Sequence, residues 1–443
     1  LIQIDDTLEA NSTYCFNFGN AIADLNEGNS IPDFNYVVST GAVIDTFQLS
    51  GIVTRAEDLQ PESGALVMLY NEVSDSLPYN KPPRYFSRTA KDGMFTIHNI
   101  APGTYRIFSL KESNANYLVD DPAERIAFDT TVIRVPEQTK FNLSSFLKQQ
   151  YPVFVKASNS IPGRIQAIFT QPTNADSIHW LTDQGYLGLQ FPSFNLLADT
   201  LDFWYTQSDA DTAAFTVCRE QKLDTVLLTL KKRKDTKNNP PAIDFSCGTA
   251  GFQSPAQPLA LQFSTPLLKT DTAMIQLQSD SVHIPYQLNT SADNNRKLNI
   301  EVKWEEGKNY RLLLLPGAFR DIFGNTNDTL EQRITVREKS DYGTLKINFF
   351  GIPSGSQKIL QVVDDKDFSV ASSVFTGDTT CYFEYLSPSK LRLKMIDDNN
   401  RNGKWDTGDD LKHLQPEKVR YYADPVPVRA NWDVEIKWQL KSE

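Results

Sequence analysis

The chain alternates apolar and polar residues over many short segments, and this alternation is the main signal in the sequence. It is clear in KLRLKMI at residues 390–396, in RIQAIFTQPT at 164–173 and in LGLQF at 187–191. A period of two residues is typical of a half-buried β-strand, because successive side chains point to opposite faces of a sheet. No segment keeps a helical period for more than about three turns. The pattern therefore predicts an all-β protein.

Part of this pattern occurs twice. Residues 95–120, FTIHNIAPGTYRIFSLKESNANYLVD, align without gaps to residues 381–406, CYFEYLSPSKLRLKMIDDNNRNGKWD. A second pair lies upstream, where LEANSTYCFNF at 8–18 matches WEEGKNYRLLL at 304–314. The sequence therefore predicts an array of β-domains, in which two units are followed, after a middle segment, by the same two units again.

Composition narrows the class of protein. The 443 residues carry 44 basic and 55 acidic side chains, which gives a net charge of −11. A chain this negative is unsuited to a phosphate backbone or an anionic lipid surface, so nucleic acid is excluded as a partner. No apolar run approaches the ~18 residues of a membrane-spanning helix, and no signal segment opens the chain. The sequence begins in mid-strand, so we expect the natural protein to extend before Leu1.

One segment near the C-terminus has the spacing of a calcium loop. Oxygen-bearing side chains occupy positions 1, 3, 5, 9 and 12 of the EF-hand pattern, position 6 is glycine, and position 7 adds its backbone carbonyl. In chain order, the predicted ligands are Asp398, Asn400, Asn402, Lys404, Asp406 and Asp409, with Gly403 at the turn. The pattern predicts one bound Ca²⁺ with a structural role.

The calcium prediction has alternatives. Position 12 carries Asp409 in place of the usual bidentate glutamate, so Mg²⁺, or no ion, also fits the pattern. Asn and Asp side chains also bond to their own backbone in ordinary polar turns. The first copy of the repeat departs further, since Tyr117 stands opposite Gly403 and Ala123 stands opposite Asp409.

Two loops are candidates for contact with a partner. Residues 74–89, SDSLPYNKPPRYFSRT, form a long proline-rich insertion, and loops of this length are commonly functional. The basic run LKKRKDTKNNPP at 230–241 is predicted to be a solvated loop, with contact to an acidic partner as the alternative. Because aromatic and arginine side chains are enriched at interface centres, the predicted partner-binding residues are Tyr79, Arg84, Tyr85 and Phe86.

The sequence offers no constellation of residues for catalysis, and we predict no catalytic residues and no enzymatic activity. It contains no G-x-S-x-G elbow, no P-loop and no G-x-G-x-x-G motif. Carboxylate pairs for glycoside hydrolysis form only in the fold, so hydrolysis stays a third hypothesis. The histidines are too isolated for a zinc motif: His98, His179, His283 and His413. The cysteines are predicted to be free thiols, with a Cys218–Cys247 bridge as the alternative: Cys15, Cys218, Cys247 and Cys381.

The repeated units resemble known domain families. The segment at about 250–337, with LALQFSTPL and RKLNIEVKWEEGKNYRLLLL, looks like a bacterial Ig-like domain of the S-layer type. The other unit, through SRTAKDGMFTIHNIAPGTYRIFSLKE at 87–112, is similar to transthyretin-like or carboxypeptidase-regulatory-like sandwiches. In this order the units resemble the outer-membrane lipoproteins of Bacteroidota.

The resemblance implies an all-β fold in the form of a linear array of Ig-like and transthyretin-like β-sandwiches. It also implies a lipid on an N-terminal cysteine that this chain does not contain. The predicted units are the C-terminal part of an Ig-like domain at 1–41, a transthyretin-like module at 42–140, a sandwich of Ig-like type at 141–248, a bacterial Ig-like domain at 249–337, and a second transthyretin-like module at 338–443.

These inferences predict a non-enzymatic lipoprotein that acts as a scaffold or accessory subunit of an outer-membrane complex. The expected partner is an outer-membrane β-barrel protein, with the β-barrel assembly machine as a candidate complex. The protein itself is expected at the outer membrane, on the cell surface or on the periplasmic face. The alternative is a carbohydrate-binding surface protein of a glycan-uptake system. For that role LDFWYTQ at 201–207 offers Trp204 as a stacking platform, although packing in a core is the other interpretation of this residue.

Overall fold

The computed structural model describes most of residues 7–440, and the described part is built almost wholly of β-strands. This confirms the predicted all-β array of sandwiches. None of the described helices is long and apolar enough to cross a membrane. They are the α-helix α1 (Leu77–Asn80) and the 3₁₀ helices Thr272–Met274, Lys339–Asp341 and Asp410–Lys412. Within 7–440 the description omits residues 20, 26, 30, 32–33, 75, 122, 149–153, 170–172, 174–177, 183–187, 189–190, 195–198, 207–210, 220–221, 232–244, 248–250 and 292–293.

An antiparallel hairpin opens the described chain. In it the Tyr14 hydroxyl accepts a hydrogen bond from the backbone N–H of Glu9 at 2.6 Å. At the matching place in the later unit, Tyr310 accepts one from Glu305 at 2.9 Å. The upstream sequence repeat therefore extends to the same local hydrogen bond. The two strands of the hairpin are β1 (Thr13–Asn17) and β2 (Asn35–Ser39).

Module 1, residues 47–147, contains α1 and eight strands. They are β3 (Phe47–Arg55), β4 (Leu66–Tyr70), β5 (Tyr85–Arg88), β6 (Met94–Ile100), β7 (Gly103–Lys111), β8 (Arg125–Phe128), β9 (Ile133–Val135) and β10 (Lys140–Leu147). The strand order is β5-β4-β7-β8-β10-β3-β6, with β9 paired to β7. Because β10 pairs with both β8 and β3, it links the two layers of the sandwich.

A second sandwich follows. Its strands are β11 (Phe154–Ser158), β12 (Arg164–Phe169), β13 (Ile178–Trp180), β14 (Phe191–Phe194), β15 (Thr200–Trp204), β16 (Thr212–Arg219) and β17 (Lys222–Thr229). One sheet has the order β11-β12-β15-β14, and the other has the order β13-β16-β17. A single apolar core lies between the two sheets, with Ile165, Phe203 and Phe215 among its buried residues.

The third sandwich matches the segment that resembles a bacterial Ig-like domain. Its strands are β18 (Phe245–Cys247), β19 (Phe252–Gln253), β20 (Leu259–Phe263), β21 (Leu267–Thr270), β22 (Ile275–Ser279), β23 (Val282–His283), β24 (Gln287–Ser291), β25 (Asn294–Glu301), β26 (Asn309–Leu314), β27 (Phe319–Asp321) and β28 (Leu330–Val336). The main sheets have the orders β18-β20-β25-β24 and β19-β28-β26-β22-β23, and β21 pairs with β27.

Module 2, residues 343–439, repeats the architecture of module 1. Its strands are β29 (Gly343–Phe350), β30 (Gln357–Val363), β31 (Ser369–Thr376), β32 (Thr379–Leu386), β33 (Ser389–Asp398), β34 (Val419–Tyr421), β35 (Val426–Val428) and β36 (Asp433–Gln439). The order β31-β30-β33-β34 corresponds to β5-β4-β7-β8, and β32-β29-β36 corresponds to β6-β3-β10. The two modules thus correspond strand by strand, beyond the stretch that aligns in sequence.

The burial pattern of β4 differs from that of an ordinary half-buried strand. All five of its residues, LVMLY, are buried. Val67 and Leu69 point into the sandwich core, whereas Leu66, Met68 and Tyr70 belong to a second apolar cluster on the outer face of the sheet. An antiparallel sheet commonly faces water on one side. The outer face of module 1 must therefore be covered by another part of the chain.

Candidate functional site

The predicted calcium loop begins at the end of β33, where Asp398 is the last strand residue. Its carboxylate is buried and accepts hydrogen bonds from the backbone N–H groups of Asn402 (3.1 Å) and Gly403 (2.9 Å). Gln357 Nε2 donates a third at 2.7 Å. Burial by itself raises the pKa of a carboxyl group, but these hydrogen bonds outweigh burial and lower the pKa of Asp398. Asp398 is therefore the ionised anchor of the loop.

Three further predicted ligands converge on one point. Asn400 Nδ2 donates to Asp406 Oδ2 at 2.7 Å, and Asn402 Nδ2 donates to the same oxygen at 2.6 Å. The oxygen and nitrogen of a side-chain amide occupy nearly equivalent positions, so a 180° rotation of the amide group exchanges the two atoms. That rotation would bring the amide oxygens beside the Asp406 carboxylate, where Ca²⁺ would find oxygen ligands. It would also break the hydrogen bonds that these oxygens accept in the structure from the backbone N–H groups of Asn402 (3.0 Å) and Lys404 (2.9 Å).

The remaining two predicted ligands are placed differently. Asp409 caps the 3₁₀ helix Asp410–Lys412, and its carboxylate lies 2.8 Å from Lys412 Nζ. The backbone N–H of Lys404 donates to Asn402 Oδ1 at 2.9 Å. Within the described residues, no group of three or more His, Cys, Asp or Glu side chains is arranged to hold a metal. Cation binding stays a prediction. It rests on the carboxylates of Asp398 and Asp406 and on the amides of Asn400 and Asn402, without the Asp409 side chain.

Glu417 closes the loop, and no sequence pattern identifies it. The Glu417 carboxylate is buried and accepts hydrogen bonds from the backbone N–H groups of Asn399 (2.7 Å) and Asp406 (3.1 Å). Burial, together with the nearby carboxylates of Asp406 and Asp398, raises the pKa of Glu417. No local spacing marks this residue, because it lies beyond the twelve-residue pattern.

Module 1 contains the same hydrogen-bonded loop. Asn114 and Asn116 donate to the Asp120 carboxylate at 2.9 Å and 2.5 Å. The buried Glu124 accepts hydrogen bonds from the backbone N–H groups of Ser113 (3.0 Å) and Asp120 (3.1 Å). These are the positions that Glu417 bonds in module 2, so the closing glutamate is also part of the repeat.

The backbone conformation of the loop is retained in the copy that departs from the calcium pattern. Tyr117 has a φ of 64°, and Gly403, at the equivalent position, has a φ of 78°. The backbone N–H of Tyr117 donates to Glu112 at 3.0 Å, as that of Gly403 donates to Asp398. A network of side-chain to backbone hydrogen bonds therefore holds this loop shape even where position 6 is tyrosine.

Modules 1 and 2 meet at a buried carboxylate, and we call this contact the module joint. Asp410 is 1% exposed, and its Oδ2 accepts a hydrogen bond from the Tyr79 hydroxyl at 2.6 Å. Lys148 Nζ lies 2.8 Å from Asp410 Oδ1 and forms an ion pair with it. The angles of this contact do not meet the geometry of a hydrogen bond. The same ammonium group lies 4.7 Å from the centroid of the Tyr79 ring. Burial and the neighbouring Asp410 raise the pKa of Tyr79, so its hydroxyl keeps its proton.

Apolar packing extends the joint to the outer face of module 1. Trp405 packs against the outer-face clusters of both modules. Gly408 approaches Phe146 so closely that an added Cβ would lie 2.7 Å from the ring. Two further hydrogen bonds join Thr407 Oγ1 to the carbonyl oxygen of Leu147 at 2.5 Å and Gln415 Nε2 to that of Phe128 at 2.8 Å. Module 2 thus adds to the cover that Leu77 and Val119 of module 1 give to this face.

The predicted partner-binding loop is folded against the chain itself. It includes α1 and leads into β5, and Tyr79 takes part in the module joint. Arg84 is exposed and forms an ion pair with Glu9, with 3.0 Å between the charged atoms. An exposed ion pair of this kind contributes little stability.

The other two predicted partner-binding residues, Tyr85 and Phe86, differ in how far they are exposed to solvent. Tyr85 is half-buried, packs edge-on against Tyr105 at 5.9 Å between centroids, and belongs to the core of module 1. Phe86 is 42% exposed, with its ring 5.3 Å from that of Tyr117. Partner binding by the four residues stays a prediction, and Phe86 is the exposed apolar side chain among them.

Trp204 is a packing residue, so its interpretation as a sugar platform is wrong. Its side chain is 3% exposed, and the indole N–H donates to Ser193 Oγ at 3.2 Å. The guanidinium groups of Arg164 and Arg296 lie 5.7 Å and 5.6 Å from the ring centroid. Since Arg296 belongs to the third sandwich, Trp204 helps to join two domains.

The cysteine and basic-loop predictions are covered only in part by the described residues. Cys15 is an exposed free thiol, and Cys381 is a buried one. The side chains of Cys218 and Cys247 lie outside the described part, and so does nearly all of the basic run at 230–241.

Comparison with known proteins finds similar solved structures but no similar sequence. No protein-family model and no curated protein matches it in sequence. The major pilin subunit of Bacillus cereus, BcpA, is 9% identical over 89% of this chain and 99% of its own, with a TM-score of 0.16. SGBP-B of the Bacteroides ovatus mixed-linkage glucan utilization locus, in complex with a heptasaccharide, is 10% identical over 94% and 100%, with a TM-score of 0.19. Domains 4–9 of the surface layer protein SbsC are 9% identical over 93% and 81%, with a TM-score of 0.21.

The buried carboxylate of the module joint gives the first prediction. We expect Asp410→Ala to lower the free energy of unfolding by about 2 to 3 kcal/mol, because Lys148 and Tyr79 lose their shared partner in a buried setting. Urea denaturation measures the change. Asp365→Ala, at an exposed aspartate of module 2, is the control and should change stability by less than about 0.5 kcal/mol. Equal effects of the two substitutions would contradict a stabilising role for the joint.

The lowered pKa of Asp398 gives a prediction about pH. A carboxyl group with a depressed folded-state pKa adds stability above its unfolded pKa near 3.9, and that stability is lost as the pH falls through the folded value. We expect Asp398→Asn to cost about 1 kcal/mol at pH 7, and the difference from wild type should shrink steadily below pH ~4. Urea denaturation across this pH range measures it, and a constant difference would refute the assignment.

Proposed function

We propose that this protein is a non-enzymatic scaffold or accessory subunit of an outer-membrane protein complex, anchored through an N-terminal lipid that lies outside this chain. Sandwich domains in series suit a mechanical task, since they hold binding surfaces at set positions. The proposed partner is an outer-membrane β-barrel protein, with the β-barrel assembly machine as the first candidate. No residue is assigned a catalytic role.

The observation that carries this proposal is the module joint. The hydrogen bond between Tyr79 and Asp410 joins residues that are 331 positions apart in the chain. Closing a loop of this length costs conformational entropy, and the joint opposes that cost with apolar burial and a buried charge cluster. A contact between the outer modules restrains the two sandwiches that lie between them in sequence. Restraint of this kind favours a scaffold over a flexible tether.

A structural Ca²⁺ ion belongs to the same proposal. The residues that would hold it are Asp398, Asn400, Asn402 and Asp406, with the backbone carbonyl of Lys404. The ion would neutralise the carboxylates and fix the amide orientations. The loop continues directly into the segment 405–408, which packs on module 1, so an ion that orders the loop would also strengthen the module joint.

Carbohydrate binding in glycan uptake is the alternative function. It requires a surface other than Trp204, because that side chain is buried. A glycan array distinguishes the two proposals, since the scaffold proposal predicts no glycan affinity. Hydrolysis is the remaining hypothesis, and substrate screening with the intact chain addresses it.

The scaffold proposal predicts a stable complex. We expect tagged full-length protein, purified from gently solubilised envelopes of its own organism, to recover an outer-membrane β-barrel in stoichiometric amount by mass spectrometry. Asp410→Ala should lower this recovery, because it loosens the joint that sets the spacing of the modules, whereas the control Asp365→Ala should not. Recovery of the protein alone would overturn the proposal.

Calcium removal gives a further prediction. We expect chelation with EGTA to lower the melting temperature of the wild-type protein, because the loop and the joint are stabilised together. The double substitution Asp398→Ala with Asp406→Ala should abolish the response, whereas Asp120→Ala, in the equivalent loop of module 1, should keep it. A melting temperature that is indifferent to chelation would identify the loop as an ordinary polar turn.

A further inference from the structure

A second contact between domains lies between the second and third sandwiches, and we call it the sandwich joint. Its centre is Trp204 of the second sandwich, whose ring lies 5.6 Å from the guanidinium group of Arg296 and 6.3 Å from the ring of Phe323. Both partners belong to the third sandwich. Gly163 lies so close to Phe323 that an added Cβ would be 2.7 Å from the ring. The two sandwiches therefore pack closely at this point.

The sandwich joint also contains a buried carboxylate. Asp202 is buried, and its Oδ1 accepts a hydrogen bond from Gln166 Nε2 at 3.0 Å. Its Oδ2 lies 3.6 Å from Arg164 of the same sandwich and 3.7 Å from Arg296 of the next. A carboxylate, a cation and an aromatic ring also form the centre of the module joint. Each joint thus loses stability when one member is removed, because a charge is left buried without its partner.

The two joints are nested in the order of the chain. The module joint pairs the first and last of the four domains from module 1 to module 2, and the sandwich joint pairs the two domains between them. Lys148, which belongs to the module joint, lies just before β11 of the second sandwich. The domains therefore follow one another in sequence, but the array folds back on itself in space.

The link from the third sandwich to module 2 is restrained. Glu306 of the third sandwich accepts hydrogen bonds from the Tyr385 hydroxyl at 3.2 Å and from the backbone N–H of Lys339 at 2.8 Å. Lys339 Nζ lies 2.8 Å from the carboxylate of Glu384 in module 2. Because these contacts limit rotation about the link, a movement of the third sandwich is transmitted to module 2.

We propose that the module joint and the sandwich joint are thermodynamically coupled, so that closing either one favours closing the other. When the sandwich joint is closed, modules 1 and 2 are held near each other, which raises their effective concentration at the module joint. When it is open, the module joint has to close a longer loop, at a greater entropic cost. The coupling is an equilibrium property and is therefore equal in both directions.

This inference concerns the chain alone and does not depend on the proposed barrel partner. The two joints have no residue in common, so their coupling acts through the position of whole domains. A partner that opens or closes one joint would therefore shift the other. The four domains would respond as one folded-back unit, in contrast to a row of independent sandwiches.

Hydrogen exchange of the full chain tests the coupling. Phe323→Ala removes an aromatic ring from the sandwich joint. We expect exchange to become at least about fivefold faster at the module joint as well, at the backbone N–H groups of Asp409 and Leu414, which flank Asp410 and donate to each other's carbonyl oxygens. Val282→Ala, at a side chain that is 62% exposed in the same sandwich, is the control and should leave both joints unchanged.

Asp410→Ala provides the reciprocal measurement. It opens the module joint and should raise exchange by a similar factor at the backbone N–H of Tyr205, which donates to the Gly163 carbonyl oxygen in the sandwich joint at 3.0 Å. Unchanged exchange in the domain cores verifies that a variant is folded. If Phe323→Ala unfolds the third sandwich, Arg296→Gln takes its place. Faster exchange confined to the joint that carries the substitution would overturn the coupling.

Small-angle X-ray scattering tests the folded-back arrangement. The maximum dimension of the wild-type chain should be clearly shorter than that of four sandwich domains in a row. Phe323→Ala combined with Asp410→Ala should increase it, because both nested contacts are then weakened. A wild-type chain that scatters as an extended row of domains, or a double variant with unchanged dimensions, would overturn the proposal.

Discussion

The structure depends on the need to cover both faces of one sheet in module 1. The outer face of β4, β7 and β8 carries Leu66, Met68, Phe108 and Ile126, all fully or almost fully buried. Exposed to water, an apolar patch of this kind would cost stability at roughly 25 cal/mol per Å². Module 2 covers it through Trp405 and the segment that follows the polar loop. Leu77 and Val119 of module 1 also belong to this cluster, so the two modules share the cover of this face.

The strands and the repeat could be predicted from the sequence because both are local patterns. Alternation is set by the pleat of each strand, and aligned residues occupy equivalent strands whatever lies between the copies. The polar loop can be predicted for the same reason, since its ligand spacing lies within twelve positions. Within it, Asp398, Asn402 and Asp406 do lie together, as the pattern indicates.

The module joint could not be predicted in this way, because it brings together side chains that are distant in the chain. The sequence predicts Tyr79 as an interface residue, and in the structure its hydroxyl contacts Asp410 of the same chain. Glu417 lies outside any sequence motif. The residues next to Trp204 in the sequence have the composition of a sugar-binding surface, so the sequence alone does not distinguish such a surface from core packing. One signal was available: five apolar residues in a row at 66–70, in place of alternation, indicate a strand covered on both faces.

The long sequence separation of the module joint also affects how the chain is made. Its contacts join residues up to 331 positions apart, and a ribosome adds about 5 to 20 residues per second. About 260 residues separate the end of module 1 from the segment 405–408, so module 1 is complete for roughly 13 to 52 s before that segment has been synthesised. During that interval the part of the outer face that Trp405 packs against has no cover from module 2, so the unfinished chain presents an apolar patch that favours aggregation.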